Sequence, residues 1–333
     1  MQMQTDARPL PAQAAPAVLA EPEGAAPRSQ WSLAWRRFRR NRAALVSIAI
    51  IVMYALGGLF APWLAPHNPV KDHSGRDYIP PFWRAQSPAG MAADSTFPLG
   101  TDSQGRDVLS RILYGTRSSL VAGLMPALII LVIGSTLGFI AGWAGGMTDN
   151  LVMRTTDIFY AFPDVLFLIL IMVTLGSTPL GRMANGLVLF LSALAVVSWT
   201  GLARLIRGSA LSLKSLEYID AARGLGASNW RIITRHLLPN SLSLMVVWAA
   251  FAVPRLIIAE AILGYLGLGL RPAITGKEFF VTSWGRLFLE AYSNVASQPD
   301  FLLILSLVVS VFVISFTFLG DGLRDALDPR AKT

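Results

Sequence analysis

Long stretches without a charged residue alternate with short charged ones along this chain, and their lengths predict membrane-spanning helices. An ionised side chain at the centre of such a helix costs about 2.5–3.5 kcal/mol, so the charges mark where spans end. The first run covers residues 43–66, with Pro62 and Pro66 placing its exit near Ala61. Arg117 and Asp149 bound the second, whose best span is 120–143. The third, 159–176, contains Asp164, and Arg182 and Arg204 bracket the fourth, 185–203. The fifth, 236–254, continues past Arg255 and Glu260. Asp300 and Asp321 delimit the sixth, 301–320, where Leu, Ile, Val and Phe fill 15 of 20 positions. At about −0.5 kcal/mol for each of these, that run favours insertion by about 7 kcal/mol. As a helix it is about 30 Å long, the thickness of the hydrocarbon core.

Charge placement predicts orientation. Arg36, Arg37, Arg39, Arg40 and Arg42 stand just before the first span. The 204–240 loop carries Arg204, Arg207, Lys214, Arg223, Arg231 and Arg235 against Glu217 and Asp220. By the positive-inside rule both regions stay in the cytoplasm, and with six spans the N- and C-termini do too. The 71–111 and 271–300 segments are nearly balanced in charge, as expected outside. Residues 1–30, rich in Ala, Pro and Gln with no apolar run, read as a cytoplasmic disordered tail and not as a signal peptide. The expected organisation is that tail, then 31–115 with the first span and an external segment. A core membrane domain follows over 116–330, carrying the 204–240 loop.

Composition narrows the chemistry. With 53% hydrophobic and 14% charged residues the chain is far from a soluble domain's roughly 25% charged. The net charge of +8 is explained by orientation, with no need of a nucleic-acid partner. There is no cysteine, so no disulfide or thiolate site. His67, His73 and His236 form no metal-ligand pattern, although His67 and His73 lie close enough in sequence to share an ion. No G-x-x-x-x-G-K-[ST] occurs, because Lys277 after Gly276 is followed by Glu278, so the chain is not expected to bind ATP itself. Nothing supports an enzyme.

The 217–240 segment reads as helix, turn, helix. Apolar residues recur at helical spacing over 211–223, Gly224 and Gly226 stop that helix, Ser228 caps the next and Pro239 ends it. Ala221, Ala222 and Gly226 leave a surface of low relief, flanked by Arg223, Arg231 and Arg235. Spacing alone fits a protein-docking helix and an amphipathic helix on the membrane equally. In the 100–111 segment Gly105 lacks a following Lys, so it is not a phosphate loop. Asp102 can cap a turn, Asp107 and Arg111 are an i,i+4 pair, and an interfacial helix leading into the second span is expected. Asp164, Arg255 and Glu260 must face protein or water, which makes them candidates for a translocation path or for ion pairs between subunits. Pro126, Pro163 and Pro254 are candidate kinks.

The 217–240 segment resembles the EAA signature of the permease subunits of bacterial ATP-binding cassette importers. Asp220-Ala221-Ala222, Gly226 and Leu238-Pro239 fall at its positions; Asp220 replaces the usual Glu, and His236 replaces Ile. Segments 98–115, 142–163 and 320–330 are similar to the C-type permeases of dipeptide, oligopeptide and nickel importers, with Phe97 where His is frequent. The likeness covers about 31–330, and 274–282 looks like an insertion. It implies an all-α protein with six transmembrane helices and the type I importer permease fold, in the bacterial inner membrane. It implies no cofactor in this chain, and as partners a homologous permease, two ATPases holding ATP and Mg, and an extracytoplasmic substrate-binding protein. Glu217, Asp220, Ala221, Ala222, Arg223, Gly226, Arg231, Leu238 and Pro239 would then meet the ATPase. Short peptides are the expected substrate. The alternatives are nickel or another small solute, or a self-sufficient secondary transporter, for which so few buried charges offer little.

Overall fold

The computed structural model describes residues 30–271 and 279–327; the 1–29 tail, most of the 274–282 insertion and the last six residues lie outside them. In chain order the helices are α1 (Gln30–Phe38), α2 (Arg42–Leu59), α3 (Ala61–Leu64), α4 (Val108–Ala144), α5 (Gly146–Tyr160), α6 (Asp164–Leu175), α7 (Pro179–Arg182) and α8 (Leu187–Lys214). They continue with α9 (Glu217–Gly224), α10 (Asn229–Ile232), α11 (Leu238–Tyr265), α12 (Trp284–Ser293) and α13 (Pro299–Leu327). Among the described residues the β-structure is limited to two isolated bridges. Five stretches are long and apolar enough to cross a membrane: Arg42–Leu59, Val108–Ala144, Pro179–Lys214, Asn229–Tyr265 and Pro299–Leu327. The α5–α6 pair, bent by 83°, brings the number to six if the two helices are counted as one broken span.

Polar caps set the helix ends. The Asn41 side chain accepts from the Ala44 amide to open α2, and Asp107 accepts from Ser110 N to open α4. At 37 residues, α4 is about 55 Å long and projects beyond any bilayer core. Its main partner is α8, and the contact is close because α4 presents Gly134, Gly138 and Gly142 at one-turn intervals. A β-carbon on Gly138 would lie 2.6 Å from the Ala203 carbonyl oxygen, and one on Gly142 2.7 Å from the Ala210 Cβ. Such small-residue rows let helix backbones approach where lipid supplies no hydrophobic drive. Phe190, Leu194, Leu202 and Ile206 of α8 are buried in this core. α13 packs on α2 and α11, and Phe38, Ala44 and Ala326 cluster, so α1 and the end of α13 lie at one end of the bundle. The 66–107 segment and α12 lie at the other, where Arg84 pairs with Asp300.

Four expectations need correction. The helix expected over 211–223 is broken: α8 ends at Lys214, Leu216 is extended, and α9 starts at Glu217. The apolar run 159–176 is not one straight helix: α5 stops at Tyr160 and α6 starts at Asp164. Pro163 lacks an N–H and disfavours helical backbone at Phe162 before it. Pro239 does not end a helix. It sits at the first positions of α11, after a π-helical turn over Ile233–Leu237, where a missing N–H is tolerated. The 100–107 stretch is a loop, not an interfacial helix. Asp107 caps α4 there, and Arg111 turns away from it to Asp102 and Glu290.

Candidate functional site

Between α8 and α11 the chain leaves the bundle, forms α9 and α10, and returns. α9 ends in a Schellman turn: Ala227 N donates to Ala222 O (3.0 Å) and Gly226 N to Arg223 O (2.8 Å). Gly226 has φ +81°, in the left-handed region glycine occupies without penalty, and a Cβ there would meet no neighbour. Ser228 Oγ then accepts from Arg231 N to open α10, as its sequence position predicts. The segment is held down by Ile219, Ile232 and Leu237, all fully buried.

A second anchor is Trp143, at the end of α4. Lys214 Nζ donates to its carbonyl oxygen (2.6 Å) and lies 5.6 Å from its ring centre. The Arg223 guanidinium sits over the same ring at 4.5 Å. One indole thus ties the ends of α4, α8 and α9 together.

The outer surface of this element is open. Glu217, Asp220, Ala221, Arg223, Gly226, Arg231 and Pro239 are exposed, while Ala222 and Leu238 are half-buried. Asp220 and Arg223 pair with each other at 2.9 Å. The surface is less flat than the sequence suggests, because Leu225 (89% exposed) and Trp230 (74%) project beside the small residues. Trp143, Leu225 and Trp230 were not singled out by sequence reasoning. The signal for the last two is a large apolar residue inside an otherwise charged loop.

Asp164, Arg255 and Glu260 do not form one site. Asp164 and Arg255 are exposed and line a cavity of about 490 Å³ formed where the α5–α6 break meets α4, α8 and α11. Tyr160, Ser198, Thr200 and Trp248 share its lining. Glu260 lies elsewhere, fully buried against α4 and α12. Ser119 Oγ donates to it at 2.9 Å and accepts from Trp284 N at 3.0 Å. Gly285 crosses α11 at the same place, where a Cβ would lie 2.7 Å from the Glu260 carbonyl oxygen, so this carboxylate belongs to a tight helix contact.

At the end opposite α9, a charged cluster joins the 66–107 segment to α12. Arg111 is enclosed by Asp102 and Glu290, Arg106 donates to the same two acids at 2.8 and 2.9 Å, and Arg286 reaches Glu290 at 3.0 Å. Burial works against the Glu290 anion, but Arg111, Arg106 and Arg286 outweigh it and hold the carboxyl below its ordinary value. Beside this cluster His67 stacks on Phe97, and His73 Nδ1 meets Gly105 O at 3.0 Å.

Comparison with known proteins bears directly on this architecture. Residues 134–333 match the family described as "binding-protein-dependent transport system inner membrane component", and 29–81 match the N-terminal TM domain of oligopeptide transport permease C. The chain is 38% identical over 306 residues to the glutathione transport system permease protein GsiD of Pectobacterium atrosepticum, covering 92% of this chain and 93% of that one. It is 35% identical to the dipeptide transport system permease protein DppC of Bacillus subtilis, over 90% of this chain and 85% of that one. Against the oligopeptide transport system permease protein OppC of Haemophilus influenzae it is 36% identical, over 92% and 90%. Among solved structures, a chain of the inward-facing MetNI methionine ABC transporter matches with TM-score 0.50 at 18% identity, over 64% of this chain and 94% of that chain, which supports the type I importer permease fold. A helical bundle of five to six candidate spans with these relatives over nine-tenths of its length is a non-enzymatic transport subunit: the chain belongs to the binding-protein-dependent transport system inner membrane components, the permease subunits of ATP-binding cassette importers.

Proposed function

We propose that this permease forms half of an import pathway for short peptides in the bacterial inner membrane, and that Glu217 to Pro239 couples it to an ATPase subunit. The observation that carries the coupling assignment is the combination of an open face with a firm base. Leu225, Trp230 and the Schellman turn at Gly226 are available to a partner, while Ile219 and Trp143 fasten the segment to the spans. A push on α9 reaches α4 and α8 through Trp143. It reaches α11 directly, because Asn229–Tyr265 is one continuous helical stretch.

Orientation follows from charge. Arg36, Arg37, Arg39, Arg40, Arg223, Arg231 and Arg235 collect at the bundle end that carries α9, and the positive-inside rule makes that end cytoplasmic, with both termini. A homologous permease completes the pathway, two ATPases holding ATP and Mg dock below, and a substrate-binding protein delivers from outside. Closure of the ATPases draws the two coupling segments together and rocks the spans to an outward-open state; hydrolysis resets them. Peptides are favoured as cargo because the relatives are named for dipeptide, oligopeptide and glutathione transport.

The experiment is reconstitution of the complete importer with Gly226→Trp. Insertion and folding should be retained, since no neighbour crowds Gly226 and the left-handed backbone costs a Trp only about 1–2 kcal/mol in an exposed turn, while ATP hydrolysis no longer drives peptide uptake. Uptake at the wild-type rate would remove this segment from the coupling contact.

A further inference from the structure

We infer that Asp164 and Arg255 form a two-charge selectivity site for zwitterionic peptides, Asp164 receiving the α-ammonium group and Arg255 the α-carboxylate; the inference rests on the peptide-permease reading above. The cavity they share lies near the middle of the long helices, because its walls come from central positions of α4, α8 and α11 and from the α5–α6 break. Each charge at that depth costs about 2.5–3.5 kcal/mol if it faces lipid, so both must face water, protein or cargo. Three other charged groups on the long helices have protein partners. Glu260 is sealed against Ser119, Arg207 grips Asp149, and Arg204 bonds Asp157 at 2.8 Å. Asp164 and Arg255 are exposed, and their side chains form no hydrogen bond or ion pair among the described residues. They are the only two charged residues in the lining, and their signs are opposite.

A ligand matching this arrangement carries one positive and one negative group separated by a variable, largely uncharged body. A peptide with free termini is such a molecule. Its side chains would meet the aromatic and small polar walls at Trp248, Tyr160 and Ser198, which contact many shapes and impose no single one. The volume of about 490 Å³ falls within the roughly 300–1,000 Å³ of small-ligand sites.

The test uses the complete importer in proteoliposomes with trialanine, N-acetyl-trialanine and trialanine amide. The preferences of the substrate-binding protein are the same for wild type and variant, so they cancel in the variant-to-wild-type ratio for each peptide. Asp164→Asn should cut trialanine uptake about tenfold, the loss of one charge-assisted hydrogen bond, and leave N-acetyl-trialanine near unity. Arg255→Gln should show the mirror pattern with trialanine amide, and Arg255→Lys should retain most uptake. A second measurement needs no binding protein. The chain lacks cysteine, so Ser198→Cys supplies a single thiol in the cavity wall for a methanethiosulfonate reagent. Millimolar trialanine should slow its modification and the two blocked peptides should not, a comparison that stands even if a charge variant fails to assemble. Uptake by wild type with equal ratios for all three peptides, or protection that is absent or equal for all three, overturns the charge assignment alone. No uptake of any of the three by wild type overturns the peptide reading and this site with it.

Discussion

Arg111, in the first turn of α4, donates a hydrogen bond to Glu290 of α12, 179 residues further along the chain, with only 3% of the Arg111 side chain exposed. Asp102 and Arg106 complete the cluster, so a single buried guanidinium fastens the 66–107 segment and α12 to the start of a span. Removing one partner from a buried ion pair typically costs about 3–5 kcal/mol. Because Asp102 still holds Arg111, Glu290→Gln should lie near the lower end of that range, read as a fall in the thermal unfolding midpoint at neutral pH.

The same cluster has a pH signature. The Glu290 carboxyl is held below its ordinary value, so the protonated form is the less stable one in the folded state. Its contribution is therefore fully present above the unfolded carboxyl's pKa of about 4.3, and is lost as pH falls through the folded value. The stability difference between wild type and Glu290→Gln should be constant from neutral pH down to the unfolded pKa of about 4.3 and shrink as pH falls from there through the folded value. A difference that grew with acidity would show that the guanidiniums do not control this carboxyl.

The glycine row on α4 yields a contrast within one helix pair. Gly138→Ala places a methyl 2.6 Å from the Ala203 carbonyl oxygen and 2.8 Å from the Ile206 Cβ, so α4 and α8 must separate. Overpacking of this kind costs about 1–3 kcal/mol. Gly208→Ala, on the neighbouring helix where nothing lies within 4 Å of the added carbon, should be neutral or stabilise by up to about 1 kcal/mol. Thermal denaturation of the two variants side by side checks the pair; equal effects would mean that the close approach does not limit stability.

Much of the architecture was legible because bilayer physics writes it into the sequence: each charge-free run falls on a long apolar helix or on the α5–α6 pair, although α4 and α8 run on past Arg117 and Arg204. What escaped depends on contacts between distant residues. Asp107 and Arg111 have helical spacing, but spacing cannot show that Asp107 is consumed as a helix cap or that Glu290 waits 179 residues away. Pro163 signals a break yet not its 83° bend. Asp164 and Arg255 were grouped with Glu260 as membrane-depth charges, but hydropathy does not tell an open cavity from a tight helix crossing. Gly134, Gly138 and Gly142 were visible all along, and a scale that treats glycine as neutral passes over them.

Trp143 makes a prediction about force transmission. Its ring lies beside the Lys214 ammonium and under the Arg223 guanidinium, so in the proposed coupling role this indole is one link between the 217–239 segment and the end of α4. Trp143→Ala removes two cation–π contacts, each about 0.5–2 kcal/mol, without touching the exposed face of α9. The ATPases should still bind, but several ATP molecules should be hydrolysed for each one that the wild type spends per imported peptide. Trp143→Phe, which keeps an aromatic face, should restore most of the coupling. An unchanged ratio of hydrolysis to uptake in the alanine variant would leave α11 as the only route for the motion.

The exposed face of the proposed coupling segment separates two kinds of contact. The Asp220–Arg223 pair is solvent-exposed on both sides, and such pairs contribute about 0–1 kcal/mol. Trp230 and Leu225 expose 74% and 89% of their surface at the end that would meet the ATPase. A tryptophan buried at the centre of a protein interface commonly costs about 2–4 kcal/mol when truncated, which is roughly 30-fold or more in affinity. Trp230→Ala should therefore weaken binding of the solubilised permease to its ATPase by at least that factor, with Leu225→Ala somewhat less. Double replacement of Asp220 and Arg223 by alanine should change it only a few-fold, an outcome titration calorimetry can resolve. If the charge pair proved dominant and Trp230 silent, the indole would have to point at lipid headgroups, and α9 would be a membrane-surface helix in place of a docking one.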